Sequence, residues 1–188
     1  MKKDKSEFIK YFEQINKSVN ETQKKERFIS FLERVFSENT NIKSLIDKIT
    51  GGAENYLKII KDNKDYGFAD TQYENIIIEF ENNLKKTEEH AKSQLLEYLS
   101  AIYKSEKKIN YRLISTDGIK WIIYYFDGTL VKKDINWDNL DLLKEKEVFV
   151  VNKLNFEDFY FFLSKYLFQN VEKNPTLNNF IDDFGIKS

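Results

Sequence analysis

Three acidic residues near the middle of the chain have the types and spacing to do chemistry. Asp70 ends the stretch YGFAD (66–70), and Glu79 and Glu81 close the run IIIEFE (76–81). Carboxylates two apart on a strand project from the same face. If the two stretches pair through the TQYE connection (71–74), Asp70 converges with Glu79 at one sheet edge. Three carboxylates gathered there repel one another unless a cation sits among them, and hard oxygen donors of this kind suit Mg²⁺ or Mn²⁺. The same spacing also fits a plainer arrangement, with Glu79 and Glu81 on the solvent face of an amphipathic strand end. The apolar run ahead of them, and Gly67 three residues before Asp70, count towards the cation site.

The surrounding elements must bring these acids together. Phe8, Ile9, Phe12 and Ile15 recur at helical spacing, and a second helix opens at Asn20, with Gln23 placed as its capping-box partner. Phe28, Phe31, Leu32, Val35 and Phe36 form the apolar stripe of that helix. A third helix is expected from Asn39 or Thr40, ended by Gly51-Gly52. The pattern then turns to strands at NYLKII (55–60), YGFAD and YENIIIEFE (73–81). A helix over about 87–103 follows, placing Ala91, Leu95, Tyr98, Leu99 and Ile102 on one side, with Gln94 one turn before Tyr98. Asp117-Gly118 is a turn signal between INYRLIST and KWIIYYF, and TLVKKDI (129–135) and EVFVVN (147–152) add candidate strands. Phe156, Phe159, Tyr160, Leu163 and Leu167 predict a last helix, which Pro175 ends. The sum is one α/β domain over 1–188: a helical part (1–50), a sheet core with the acid cluster (51–151), and a C-terminal helix leading into a linker (152–188).

Composition narrows the function. With 188 residues, 41% hydrophobic and 32% charged, the chain can bury a substantial core, to which 16 Phe and 11 Tyr contribute bulk. It has no cysteine, which excludes disulfides and thiolate metal sites. No apolar run approaches the roughly 20 residues a membrane span needs. With no signal-peptide pattern either, a cytoplasmic location is expected. The net charge of −1 is not that of a free-standing nucleic-acid binder, which is usually basic.

Four stretches together resemble a known family. Gly67-Phe68-Ala69-Asp70 and Ile77-Ile78-Glu79-Phe80-Glu81 resemble motifs II and III of the PD-(D/E)XK nuclease superfamily. Gln94 and Tyr98 are similar to the Gln-x-x-x-Tyr helix of RecB-like and type I or type IIG restriction nucleases. Thr116, Asp117, Gly118 and Trp121 are similar to the Thr-Asn/Asp-Gly-x-x-Trp hairpin that follows in those enzymes. The resemblance spans residues 20 to 126 and extends weakly to FIDDFGIKS, which is similar to the segment leading into a helical connector and methyltransferase. It implies a restriction-endonuclease-like mixed sheet flanked by helices, in which Asp70 and Glu79 hold Mg²⁺, with Mn²⁺ as a substitute. The chain departs from the family at Glu81, where the usual residue is Lys. Glu81 can share the cation or accept a proton from water, and a compensating lysine could come from Lys85, Lys86 or Lys120.

The resemblance implies a metal-dependent DNA endonuclease: the cleavage module of a restriction-modification protein whose methyltransferase and target-recognition parts lie outside this chain. Asp70, Glu79, Glu81 and Gln94 are its candidate catalytic residues, with Glu21, Lys85, Lys86 and Tyr98 as accessories. A second reading keeps the fold as a DNA-contacting or protein-interaction module without chemistry. A third, a small nuclease complete at this length, would require a concentrated basic face that the sequence does not show. Glu21 equally suits a helix N-terminus through the helix dipole. The lone His90 reads as a surface residue and Trp121 as core, and the pairs Lys107-Lys108 and Lys132-Lys133 read as solvated surface.

Overall fold

A computed structural model describes residues 5–36, 43, 46, 47, 60, 61, 64, 65, 71–73, 75–131 and 134–168. Helices α1 (Lys5–Lys17) and α2 (Glu21–Phe36) open the chain. Asn20 caps α2 through Oδ1, which accepts from Gln23 N at 2.9 Å. Gln23 returns the bond to Val19 N at 3.1 Å, one residue earlier than a strict capping box. Of the expected third helix, Lys43, Ile46 and Asp47 are helical, and its remaining residues lie outside those described.

Five strands form the main sheet in chain order: β1 (Thr71–Tyr73), β2 (Ile76–Phe80), β3 (Arg112–Thr116), β4 (Lys120–Phe126) and β5 (Leu143–Val150). A separate antiparallel pair joins Ile60–Lys61 to Lys64–Asp65. Strands β2 and β3 run parallel, with Glu79 beside Ser115, and the other neighbours are antiparallel. A parallel pair needs a crossover, which helix α3 (Leu84–Glu106) supplies, and after the sheet helix α4 (Phe156–Leu163) runs into a π-helical turn, Ser164–Phe168. The mixed α/β class expected from the sequence is therefore present.

Strand alternation divides the core into two layers. Ile76, Ile78 and Phe80 face the aromatic layer built with α1, α2 and α4, where Trp121 lies 4.9 Å from Phe28 and Tyr11 stacks on Phe31 at 4.6 Å between ring centres. Ile77 faces the opposite layer, with Leu95, Tyr98 and Leu99 of α3. Glu79 and Glu81 follow Ile77 at intervals of two and so belong to the α3 face.

Two expectations need correction. TQYE is not a connection, because Thr71–Tyr73 is itself the strand that pairs with β2; polar residues in so short a run carry no strand pattern. Nor does TLVKKDI begin as a strand. Asp127 Oδ1 accepts from Thr129 N and Thr129 Oγ1 at 3.0 and 2.6 Å, winding Gly128–Leu130 into a 3₁₀ turn.

The turn after β3 fastens both layers. Asp117, 8% exposed, accepts from Ile119 N at 3.0 Å and Lys120 N at 2.8 Å through Oδ1. Its Oδ2 accepts from Leu84 N at 3.1 Å, so it caps α3 from across the fold, whereas Asn83 at the cap position makes no side-chain capping bond. Asp117→Ala leaves these buried donors without their acceptor and should cost about 2–3 kcal/mol, read as a lower urea midpoint. A smaller loss is expected for Asp117→Asn, which keeps one acceptor oxygen.

A second polar lock ties β5 to the turn after α4. Glu147 Oε2 accepts from Lys165 Nζ at 2.6 Å and from the Tyr166 hydroxyl. Burial alone would raise the Glu147 carboxyl, but the bonds from Lys165 and Tyr166 outweigh it and hold the carboxyl below its ordinary value of 4.5. A lowered folded value means that this contribution is complete above the ordinary value and is lost as pH falls through the folded one. Urea midpoints taken from neutral pH down to pH ~3 should fall less steeply in Glu147→Gln than in the wild type.

Candidate metal and nucleic-acid site

Among the described residues, the carboxyl end of β2 carries the strongest concentration of buried charge. Glu79 is 4% exposed and Glu81 3%, so the solvent-face arrangement of this pair is overturned. Strand alternation turns both towards α3, and the Glu81 N–H continues the ladder by donating to Thr116 O at 2.8 Å. Both residues take part in further interactions, while Glu79 Oε2 and Glu81 Oε1 are buried oxygens that accept no hydrogen bond. Asp70 lies outside the described residues. Thr71, the residue after it, pairs with Ile78, the residue before Glu79.

Neighbouring groups make this end of the sheet polar. Ser115, fully buried beside Glu79, shares a 3.1 Å hydrogen bond with the Tyr124 hydroxyl. Burial raises the Tyr124 phenol, with the charges of Glu88 and Glu145 adding to it and the Ser115 bond opposing. Lys92 lies over the Tyr124 ring, 5.3 Å from its centre. Sequence reasoning missed Ser115 and Tyr124. The available signal was a serine directly after the apolar pair Leu113-Ile114.

The other expected residues separate by position. Tyr98 is buried in the α3 layer that contains Ile77, and Gln94 is half-buried one turn earlier. Glu21 is exposed at the first position of α2, and Lys85 and Lys86 are exposed in the first turn of α3. Lys120 forms an ion pair with Glu88 at 2.7 Å. His90 is exposed and Trp121 fully buried, as expected. The lysine that does enter the interior is Lys24 of α2, 8% exposed, which donates from Nζ to Asn82 O, one residue past Glu81.

Two glutamates on one face are a donor set that fits a hard divalent cation. Among the described residues no group of three His, Cys, Asp or Glu could hold a metal ion, so a complete set requires Asp70 or another residue beyond them. No described helix is long and apolar enough to cross a membrane. The chain matches no family model, no curated protein and no solved structure.

Proposed function

We propose that the chain is a Mg²⁺-dependent DNA endonuclease domain with the restriction-endonuclease-like fold that its motifs resemble. The observation that carries this reading is the burial of two acids together, Glu79 within an inner strand and Glu81 just past its end. Burying a carboxylate is costly without compensation, and two together are retained most readily where a cation neutralises them. Their place also supports it, since ligands in α/β sheets bind beyond the carboxyl ends of parallel strands, and β2 and β3 are parallel. The β1–β2 register pairs Thr71, the residue after Asp70, with Ile78, the residue before Glu79.

With Mg²⁺ bound, the site gains a Lewis acid that activates water and balances charge on the phosphate. Asp70 and Glu79 would hold it. Glu81 takes the proton of the water that attacks the phosphorus, the P–O bond of the strand breaks and the leaving oxygen takes a proton from solvent, with Gln94 and Tyr98 of α3 as accessory residues. DNA affinity comes mainly from methyltransferase and target-recognition parts beyond this chain, consistent with a net charge of −1.

Nicking of supercoiled plasmid in Mn²⁺ and in Mg²⁺, at low salt and high protein concentration, tests the reading. Wild type should nick, and Asp70→Ala should not. Activity that survives in the variant places the chemistry elsewhere. If the wild type neither nicks DNA nor binds Mn²⁺, the chain is a binding module that keeps the fold without the chemistry.

A further inference from the structure

Lys24 is the buried charge that the fold does not account for. It lies one turn before Phe28 on the apolar face of α2, where a lysine side chain must be enclosed. Lysine is rarely buried unless paired with an acid. Among the described residues the Lys24 ammonium makes no salt bridge and donates to a neutral acceptor, the carbonyl of Asn82. That carbonyl lies at the exit of β2, directly after the strand end that holds Glu79 and Glu81. Lys85 and Lys86 point to solvent, and Lys120 is committed to Glu88. Among the described residues, Lys24 is therefore the ammonium that enters the interior at this strand end.

We infer that Lys24 is a positioning residue for the acid site, reaching from the α2 layer to hold the backbone one residue after Glu81 and bringing a positive charge to the strand end that carries the Glu79–Glu81 pair. The inference rests on the cation-site reading of those glutamates. A fixed positive charge offsets the repulsion between two carboxylates and opposes the entry of a further cation, so it tunes how tightly the site holds a metal. In a partly buried region one unit charge near an ionic site is enough to change its affinity several-fold.

The test measures Mn²⁺ binding to the full chain by the loss of the free-ion EPR signal at low salt, together with plasmid nicking. Lys24→Met keeps the apolar stem and removes the charge, Lys24→Gln also retains an N–H donor for Asn82, and Lys24→Arg keeps the charge. Both neutral variants should bind Mn²⁺ roughly three- to tenfold more tightly, with nicking slowed most in Lys24→Met, which also loses the bond to Asn82, and with Lys24→Arg close to wild type in both. A purely structural lysine would weaken binding and nicking together, so equal or weaker Mn²⁺ binding by the folded neutral variants overturns the inference while leaving the Glu79 site standing. If Lys24→Met does not fold, Lys24→Gln gives the same reading. Wild type that binds no Mn²⁺ overturns the cation site itself, and the role of Lys24 with it.

Discussion

Glu79→Gln is expected to abolish nicking and to leave the protein at least as stable as the wild type. The loss of rate should be at least roughly a hundredfold in both Mn²⁺ and Mg²⁺, since a bound cation contributes several kcal/mol and each ~1.4 kcal/mol is a factor of ten. Stability should move the other way. Replacing a buried carboxylate by its neutral isostere removes a desolvation cost and the repulsion with Glu81, and a gain of about 1 kcal/mol is reasonable. A thermal melt makes the contrast sharper. Wild-type Tm should rise when Mn²⁺ is added and return when EDTA removes it, because an ion that binds the folded state stabilises it by mass action. Glu79→Gln should show no such rise. A variant that melts far below wild type and still nicks would mean that Glu79 serves the fold rather than the site.

That opposition between stability and activity is physically informative about the whole strand end. A protein built only for stability would continue the apolar alternation of Ile77 through positions 79 and 81, because α3 already covers that face. Instead the chain places two acids there, a serine beside them at position 115 and a lysine across from the other layer. Departures from local consistency concentrate at functional sites. Here they concentrate where a parallel pair of strands ends and the crossover helix begins.

Much of the scaffold was legible in the sequence, and the reasons differ by element. Helices α1, α2 and α3 carry long 3.6-residue patterns, and Asn20 with Gln23 marks a helix start by its own chemistry. The β3–β4 hairpin follows from Asp117-Gly118 between two β-rich runs. Strand β1 was not legible, because three polar residues have no period to read. The i, i+2 spacing of Glu79 and Glu81 fixed their shared face but not its burial, which depends on α3 packing over it. Asp117 could be read as a turn residue, whereas its cap on Leu84 is a contact across 33 positions and leaves no local trace. Lys24 had a signal, its place one turn before Phe28 on the apolar stripe. A lysine there looks like the frayed end of a stripe until the strand it reaches is in view.

Gly118→Ala should cause the largest loss of stability of any single methyl group added to the turn. Gly118 has φ +84, in the left-handed region, where a residue with a Cβ is strained by about 1–2 kcal/mol. The added Cβ would also lie 2.4 Å from Ile15 Cγ1 and 2.6 Å from Ile15 Cδ1. Ile15 cannot simply swing away, because it is enclosed in the aromatic layer of α1. Overpacking of this kind adds a further ~1–3 kcal/mol, for a total of roughly 2–5 kcal/mol. The Gly118 carbonyl accepts from the Tyr11 hydroxyl at 2.7 Å and from Trp121 Nε1 at 3.3 Å, so any shift of the turn to make room also disturbs these bonds. A double-mutant cycle separates the two costs. In an Ile15→Ala background the steric part should vanish, and Gly118→Ala should then cost only the backbone strain, about 1–2 kcal/mol. Equal losses in the two backgrounds, measured by urea unfolding, would show that α1 does not press on the turn and that strain in the turn alone demands glycine.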